Sequence, residues 1–298
     1  KPVQRTLATR TSHPDWMVER WIKNYGLEAT EQICEANNLL PNPTLASNRV
    51  EHVASLRQQL AAIKIDWKAH PIFPELTVLQ TNQGVWNTAM AKDGLIYAQD
   101  ASSYAFCNSI RPFLEGKILD VCSAPGGKGL QLSPNYPGQF LLNDVSSSRL
   151  KKIYQNFHRL NLSGHMLQSD GTKLPFPSRS IDGILLDVPC SSTGTIRKNP
   201  DIKWVADLKS LLRQTELQGR LLKEAARVVR KGGWIAYSTC SMEPEETQLP
   251  LQLSEELGLQ TIPWEELPEG IEATQKGFWQ LLPSANWMGF SAAILAKS

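Results

Sequence analysis

Two cysteines of this chain stand where a thiol can do covalent chemistry. Cys190 closes Asp187-Val-Pro-Cys190, after the apolar run that starts at Ile181, and Cys240 lies in Tyr237-Ser-Thr-Cys-Ser241, directly after Trp234-Ile-Ala-Tyr237. If both apolar runs are strands of one sheet, both thiols end strands, where open α/β sheets bind ligands. Two thiols converging on one cleft point to nucleophilic chemistry or to a disulfide. The placement does not rank them. None of the histidines (His13, His52, His70, His158, His165) lies in these segments, so a Cys-His protease has no support. The other cysteines, Cys34, Cys107 and Cys122, are scattered, and no C-x-x-C pair exists. That argues against a disulfide framework and a zinc ribbon, and for reduced thiols, a cytoplasmic location and no metal.

A third segment, Asp120-Val-Cys-Ser-Ala-Pro-Gly-Gly-Lys128, has the small residues and glycines that let backbone turn tightly and approach a ligand before a helix begins. It is not a phosphate loop: a Walker motif needs Gly at 122 and Ser or Thr at 129, where Cys122 and Gly129 stand. G-x-G-x-x-G fails as well, because Leu132 occupies its last glycine position. Asp144 follows at the distance where nucleoside sites place a ribose hydroxyl acceptor, a position that also suits a helix cap.

These groups need a frame, and the pattern from Lys117 onward supplies one. Strand signals at 118–121, 140–142, 181–186 and 234–237 alternate with helices at 147–160 and about 205–229, and strands near 278–282 and 290–295 suit a hairpin. The alternation predicts an α/β fold, a doubly wound Rossmann-like sheet. Upstream, a helix over 12–25 with Ser12 as N-cap and a second over 28–38 precede a small α+β module, with a further helix over 100–111. Two domains are therefore expected, 1–110 and 111–298. With 41% hydrophobic and 20% charged residues the chain reads as globular, and no apolar run is long enough for a membrane span. Lys1 to Ser12 has no apolar signal core. A net charge of +2 announces no nucleic-acid partner, so any RNA would meet a local patch.

Taken in order, Asp120 to Lys128, Asp187 to Gly194 and Ser238 to Ser241 resemble the motifs of the Nol/Nop/Sun family of RNA 5-methylcytosine methyltransferases, especially the RsmB-like bacterial ribosomal RNA branch (Fmu, also called Sun). Gln99-Asp100 with Ser103, the run Arg197 to Trp204 and the segment Trp16 to Asn38 extend the likeness over nearly the whole chain. The resemblance implies a methyltransferase domain at 111–298, a small α+β RNA-recognition region at 1–110, and S-adenosylmethionine as cofactor. It implies that Cys122, Ser123, Ala124, Pro125, Gly126, Gly127, Lys128, Asp144, Arg149, Asp170 and Asp187 hold that cofactor, with Asp144 on the ribose and Asp170 on the adenine amine. It also makes Cys240 the nucleophile and Cys190 the group that assists product release, with Lys128 and Asp187 bordering the base. The sequence departs from the family at Ser123, Gly129 and Thr247, and at Ala46-Ser47-Asn48, where an RNA contact is put in doubt. Bacterial members carry a further helical, NusB-like domain ahead of the matching segment.

The chemistry explains these residue types. Cytosine carbon 5 is a poor nucleophile; a thiolate added at carbon 6 makes it enamine-like. A free thiol is only a few per cent ionised at pH 7, so Cys240 is expected to need a basic neighbour, for which Lys128 is the candidate. The target base must be unstacked, so the expected partner is single-stranded or opened RNA, ribosomal RNA first and transfer RNA second. Arg197, Lys198 and Lys203 are the basic cluster expected to contact it; Arg149, Lys151, Lys152 and Arg159 form another along one helix. A monomer with no membrane contact is expected. The rivals are a DNA cytosine methyltransferase attacking through Cys190 and a non-catalytic RNA-binding relative.

Overall fold

A computed structural model describes residues 2–47, 49, 51–80, 84–264, 267, 271–273 and 277–298. Lys1 and Asn48, named above, lie outside the described residues. The chain opens with three helices, α1 (Pro2–Thr11), α2 (Asp15–Tyr25) and α3 (Leu27–Asn37). The expected start at Ser12 is corrected. α1 runs up to it, Ser12 takes a left-handed φ of 54° between the helices, and Pro14 is the N-cap of α2. α1 escaped the sequence reading because its polar and basic residues show little periodicity. A small module follows: β1 (Thr44–Ala46), α4 (His52–Ala62), β2 (Trp67–Ala69), β3 (Thr77–Leu79), α5 (Ala89–Lys92) and β4 (Tyr97–Ala98). Its four strands pair antiparallel in the order β2-β3-β1-β4, over a core of Leu45, Leu56, Leu60, Leu79 and Ile96.

α6 (Ala101–Ile110), capped by Asp100 Oδ1 on the Ser102 N–H at 2.9 Å, leads into the second sheet. Its elements are β5 (Lys117–Asp120), α7 (Gly127–Leu132), β6 (Gln139–Asp144), α8 (Ser147–Arg159), β7 (His165–Gln168), β8 (Ile181–Asp187), α9 (Ile202–Val205), α10 (Leu208–Val228), β9 (Val229–Thr239), α11 (Pro244–Thr247), α12 (Leu249–Leu253), β10 (Leu259–Ile262), β11 (Glu272–Ala273), β12 (Phe278–Leu281) and β13 (Phe290–Lys297). The strands run β11-β12-β13-β9-β8-β5-β6-β7, with β10 also paired to β13. β9 to β7 are parallel, while β10 to β13 add an antiparallel edge that includes the expected β12–β13 hairpin.

Both faces of this sheet are covered, which is why its central strands are apolar on both sides. Ile118, Leu142, Leu185 and Ala236 pack toward Ile110, Leu130 and Phe157. Leu119, Ile184, Leu186 and Ile235 pack against Leu221, Leu222 and Ala225 of α10. The helix expected over about 205–229 is α10, which starts three residues later and is separated from the short α9: Ala206 is extended, and Asp207 starts α10 through a reciprocal capping box with Ser210. A capping box stops a helix from continuing backward, so the break lies in these two side chains. Among the described residues, no helix is long and apolar enough to cross a membrane.

Candidate functional site

From β5 the chain winds outward through β6 and β7, then returns to β8 on the opposite side of β5. This reversal opens a crevice beyond the carboxyl ends of β5 and β8, and every strand-end segment singled out in the sequence reaches it or its rim. The glycine turn follows β5. Gly126 has φ +103° at the N-cap of α7, a backbone state that excludes side chains, and a β-carbon on Gly127 would meet only open space. Gly129 has a packing reason: a β-carbon there would lie 2.8 Å from Leu142 Cδ2 and 3.3 Å from Phe157 Cζ.

Asn143 ties the strand tips together and was missed in the sequence. Fully buried, it donates through Nδ2 to the carbonyls of Val121 and Ser169, accepts from Ser169 Oγ at 2.7 Å, and its carbonyl accepts from Ser123 N and Oγ. Its position beside Asp144 at a strand end was the available signal. Asp144 is buried, and its Oδ1 accepts both Ser146 N–H at 2.8 Å and Arg149 Nη2 at 2.9 Å. Asp170, exposed after β7, is held below its ordinary pKa by the Thr172 backbone N–H and hydroxyl, both 2.8 Å from Oδ1.

Across the crevice, Lys128 Nζ donates to Asp187 Oδ2 at 2.6 Å, and Ser238 Oγ donates to Asp187 Oδ1 at 2.7 Å. The ammonium also lies 5.8 Å and 5.5 Å from the ring centroids of Phe106 and Phe290. Burial works against the Lys128 charge, but the Asp187 carboxylate outweighs it and keeps the lysine pKa above its ordinary value. Beneath them Asp120 is 1% exposed, its Oδ1 has no partner among the described residues, and burial pushes its pKa up to about 8.

The thiols meet: Cys190 Sγ and Cys240 Sγ are 3.1 Å apart, with Ser192 Oγ 3.8 Å and 3.5 Å away respectively. Contact with Cys240 lowers the pKa of Cys190, whereas the same contact, reinforced by burial, raises that of Cys240 well above the ordinary thiol value. The sequence reading looked to Lys128 for a basic neighbour of Cys240. In the structure that ammonium bonds Asp187, and the Cys240 thiol contacts Cys190 and the Ser192 hydroxyl.

Two segments brace the Cys240 loop. From α2, Arg20 pairs with Glu243 at 2.9 Å and Glu245 at 2.7 Å, Trp21 Nε1 donates to Glu243 Oε1 at 3.1 Å, and Tyr25 donates to the Met242 carbonyl. From the other side, Gly194 N donates to Cys240 O at 2.9 Å while Gly194 O accepts from Gly289 N at 2.8 Å. A β-carbon on Gly194 would lie 2.7 Å from Cys240 O and 2.5 Å from Gly289 O.

The basic cluster after Cys190 is largely occupied inside the protein. Arg197 donates to the carbonyls of Ser284, Ala285 and Trp287, Lys198 pairs with Asp100 at 2.8 Å, and Lys203, 6% exposed, donates to Asn38 Oδ1 at 2.7 Å. Two open clefts of about 540 and 450 Å³ meet at Ala98. One is lined by Leu40, Pro43, Gln80 and Lys198, the other by Trp86, Lys92, Asn156 and the glycine-turn residues Pro125 and Gly127.

Comparisons with known proteins agree with this architecture. The family model "16S rRNA methyltransferase RsmB/F" matches residues 109–296, and the model "RsmF/B-like, ferredoxin-like domain" matches residues 13–85. The chain is 34% identical over 251 residues to a probable ribosomal RNA small subunit methyltransferase B of Bacillus subtilis (strain 168), covering 82% of this chain and 56% of that protein. It is 34% identical over 252 residues to ribosomal RNA small subunit methyltransferase B of Escherichia coli O1:K1 / APEC, covering 82% and 57%. The chain thus spans little more than half the length of these relatives. A methyltransferase homolog protein from Pyrococcus horikoshii superposes over 100% of both chains with a TM-score of 0.82 at 25% identity.

Proposed function

Because the chain belongs to the RsmB/F family of 16S rRNA methyltransferases, we propose that it methylates carbon 5 of a cytosine in RNA, with ribosomal RNA as substrate. The observation that carries this reading is the pair of contacting thiols, Cys190 and Cys240, beside a Lys128–Asp187 pair at the sheet's point of reversal.

The crevice suits S-adenosylmethionine, a nucleoside bearing an ammonium and a sulfonium. The open space over Gly127 leaves room against the turn backbone, Asp144 has both of its contacts on Oδ1 and so presents Oδ2 to ribose hydroxyls, and the unpartnered Asp120 Oδ1 lies below. Residues 122–128, Asp144, Asp170 and Asp187 would hold it, with Arg149 orienting Asp144. When bound, the cofactor supplies an electrophilic methyl group.

The protein's own groups do the rest. The Cys240 thiolate adds to carbon 6 of the base, and the ring electrons move toward carbon 5, which gains the methyl. Lys128 holds the Asp187 side chain in place through their 2.6 Å contact, so that it can accept from the cytosine amino edge. Loss of the carbon 5 proton then expels the thiolate, with Cys190 assisting from contact distance. A second assignment has one observation in its favour: contact with Cys240 lowers the Cys190 pKa against the opposing effect of burial, whereas contact and burial both raise that of Cys240, which fits Cys190 as the attacker.

Residues 1–110 form the RNA-recognition region in this reading, and the clefts that meet at Ala98 are the route by which a single strand reaches the crevice, with Trp86 offering a stacking surface. The proposed chemistry uses one chain in the cytoplasm and no metal ion. Bisulfite mapping of RNA from cells with and without the protein tests the proposal. Loss of one 5-methylcytosine in small-subunit ribosomal RNA is expected, and an unchanged map of ribosomal and transfer RNA would sink it.

A further inference from the structure

We propose that Glu246 is a positioning residue whose buried carboxylate clamps the Cys190 loop to the Cys240 loop and so sets the distance between the two thiols. The functional meaning rests on the methyltransferase reading above; the clamp itself does not.

The register of the sheet shows why a clamp is needed. β8 and β9 pair Asp187 with Ser238, and continuing that register would set Cys190 opposite Ser241. Beyond the strand ends the pairing slips by one residue. Cys190 faces Cys240 at 3.1 Å, and Ser191 faces Ser241 with hydroxyls 3.0 Å apart. The thiols meet because of this slip; among the described residues the β8–β9 ladder ends at the Val188 N–H to Ser238 O bond, and the Gly194 N–H to Cys240 O bond touches the loops only beyond Cys190.

Glu246 maintains the slip. It is fully buried on α11, and its Oε1 accepts from Ser191 N–H at 2.9 Å and from Gln218 Nε2 at 2.8 Å. Its Oε2 accepts from Ser191 Oγ at 2.5 Å, the hydroxyl that also meets Ser241. Gln218 Nε2 donates to Pro189 O at 2.9 Å, and Tyr237 Oη donates to both Gln218 Oε1 and the Glu246 carbonyl. Ser191 is therefore tied to Glu246 directly, Pro189 through Gln218, and Ser241 through the Ser191 hydroxyl. Among the described residues this carboxylate has no cationic partner; burial pushes its pKa up, against the pull of the serine and glutamine donors. A buried carboxylate without a cation is costly. Its retention here is explained by the geometry it enforces.

The test reads thiol geometry directly. Diamide converts the two thiols to a disulfide, its azo group taking up both hydrogens, at a rate set by how often the sulfurs meet. Wild type and Glu246→Gln, whose amide still accepts from Ser191 N–H and can donate to Ser191 Oγ, should form the Cys190–Cys240 disulfide at similar rates. Glu246→Ala should be slower by about tenfold or more, and single-turnover methyl transfer should fall by a similar factor with the KM for RNA little changed. Should Glu246→Ala not fold, the double variant Ser191→Ala with Ser241→Ala removes the hydroxyl arm of the link while keeping the Ser191 N–H bond to Glu246, and should show a smaller but clear slowing. Disulfide formation at the wild-type rate in these variants overturns the clamp, as does Glu246→Gln slowing as much as Glu246→Ala. Slowed disulfide formation in a protein whose wild type transfers no methyl group upholds the clamp and sinks the methyltransferase reading instead.

Discussion

Lys128 lies 2.6 Å from Asp187 and is bonded to neither thiol. The cation therefore fixes the Asp187 side chain, while contact with Cys190 raises the pKa of Cys240. Removing the lysine charge should release Asp187 rather than deactivate a thiol. Lys128→Met should lower methyl transfer by roughly 10²–10³-fold, the range for losing one preorganised polar group. It should leave iodoacetamide alkylation of Cys240 within about twofold of wild type, since no bond to that thiol is lost. Strongly slowed alkylation would restore the lysine as the activator of the thiol.

The division of labour between the thiols has its own signature. With Cys240 as attacker, Cys240→Ala abolishes transfer, and Cys190→Ala lets the base add but not leave, so a protein–RNA adduct survives denaturing electrophoresis. An adduct in Cys240→Ala and none in Cys190→Ala would reverse the roles.

The pH dependence follows from the same contact. The thiolate is the reactive form, and the pKa of Cys240 lies well above the ordinary value, chiefly through Cys190 and then through burial. Its alkylation should rise with pH across the neutral and alkaline range. In Cys190→Ala the rise should begin at lower pH, since the principal cause of the shift is gone. Peptide-resolved alkylation rates check this, and superimposable profiles for the two proteins would refute it.

Asp120 makes stability depend on pH. Its pKa in the folded protein is about 8, against about 4 in an unfolded chain, so the folded state binds the proton more tightly. That contribution is fully present below about pH 4 and is lost as the pH rises toward 8. Asp120→Asn removes the penalty. Relative to wild type, it should gain roughly 2–4 kcal/mol of unfolding free energy between pH 5 and pH 8, at about 1.4 kcal/mol per pH unit. Denaturant titrations at the two values decide, and parallel stability curves would show that Asp120 is not ionising there.

Gly194 should tolerate nothing larger. Gly194→Ala places a β-carbon against two backbone carbonyls, Cys240 O and Gly289 O, neither of which can rotate away. A loss of about 1–3 kcal/mol in unfolding free energy is expected, with methyl transfer falling further because the displaced carbonyl belongs to Cys240 itself. A fully active, equally stable variant would show that the loops can separate without harm.

Much of the protein is legible in one dimension because its signals are local. Alternating apolar runs and helical patterns mark the β5–β9 frame, the small residues of 122–127 mark the turn, and the order of the Asp120, Asp187 and Ser238 segments carries the family likeness. Each depends on neighbours a few residues apart, where periodicity and turn chemistry act. Strand-end placement also set Cys190 and Cys240 on one cleft. What the sequence could not show is long-range: the one-residue slip beyond β8 and β9, the Glu246 clamp, the hold of α2 on Glu243 and the pairing of Lys128 with Asp187. Those depend on which side chains meet after residues 50 to more than 200 apart in the chain are packed together, and on how burial then shares protons between them. Spacing placed two thiols in one cleft; only the packed structure brought them into contact, 3.1 Å apart.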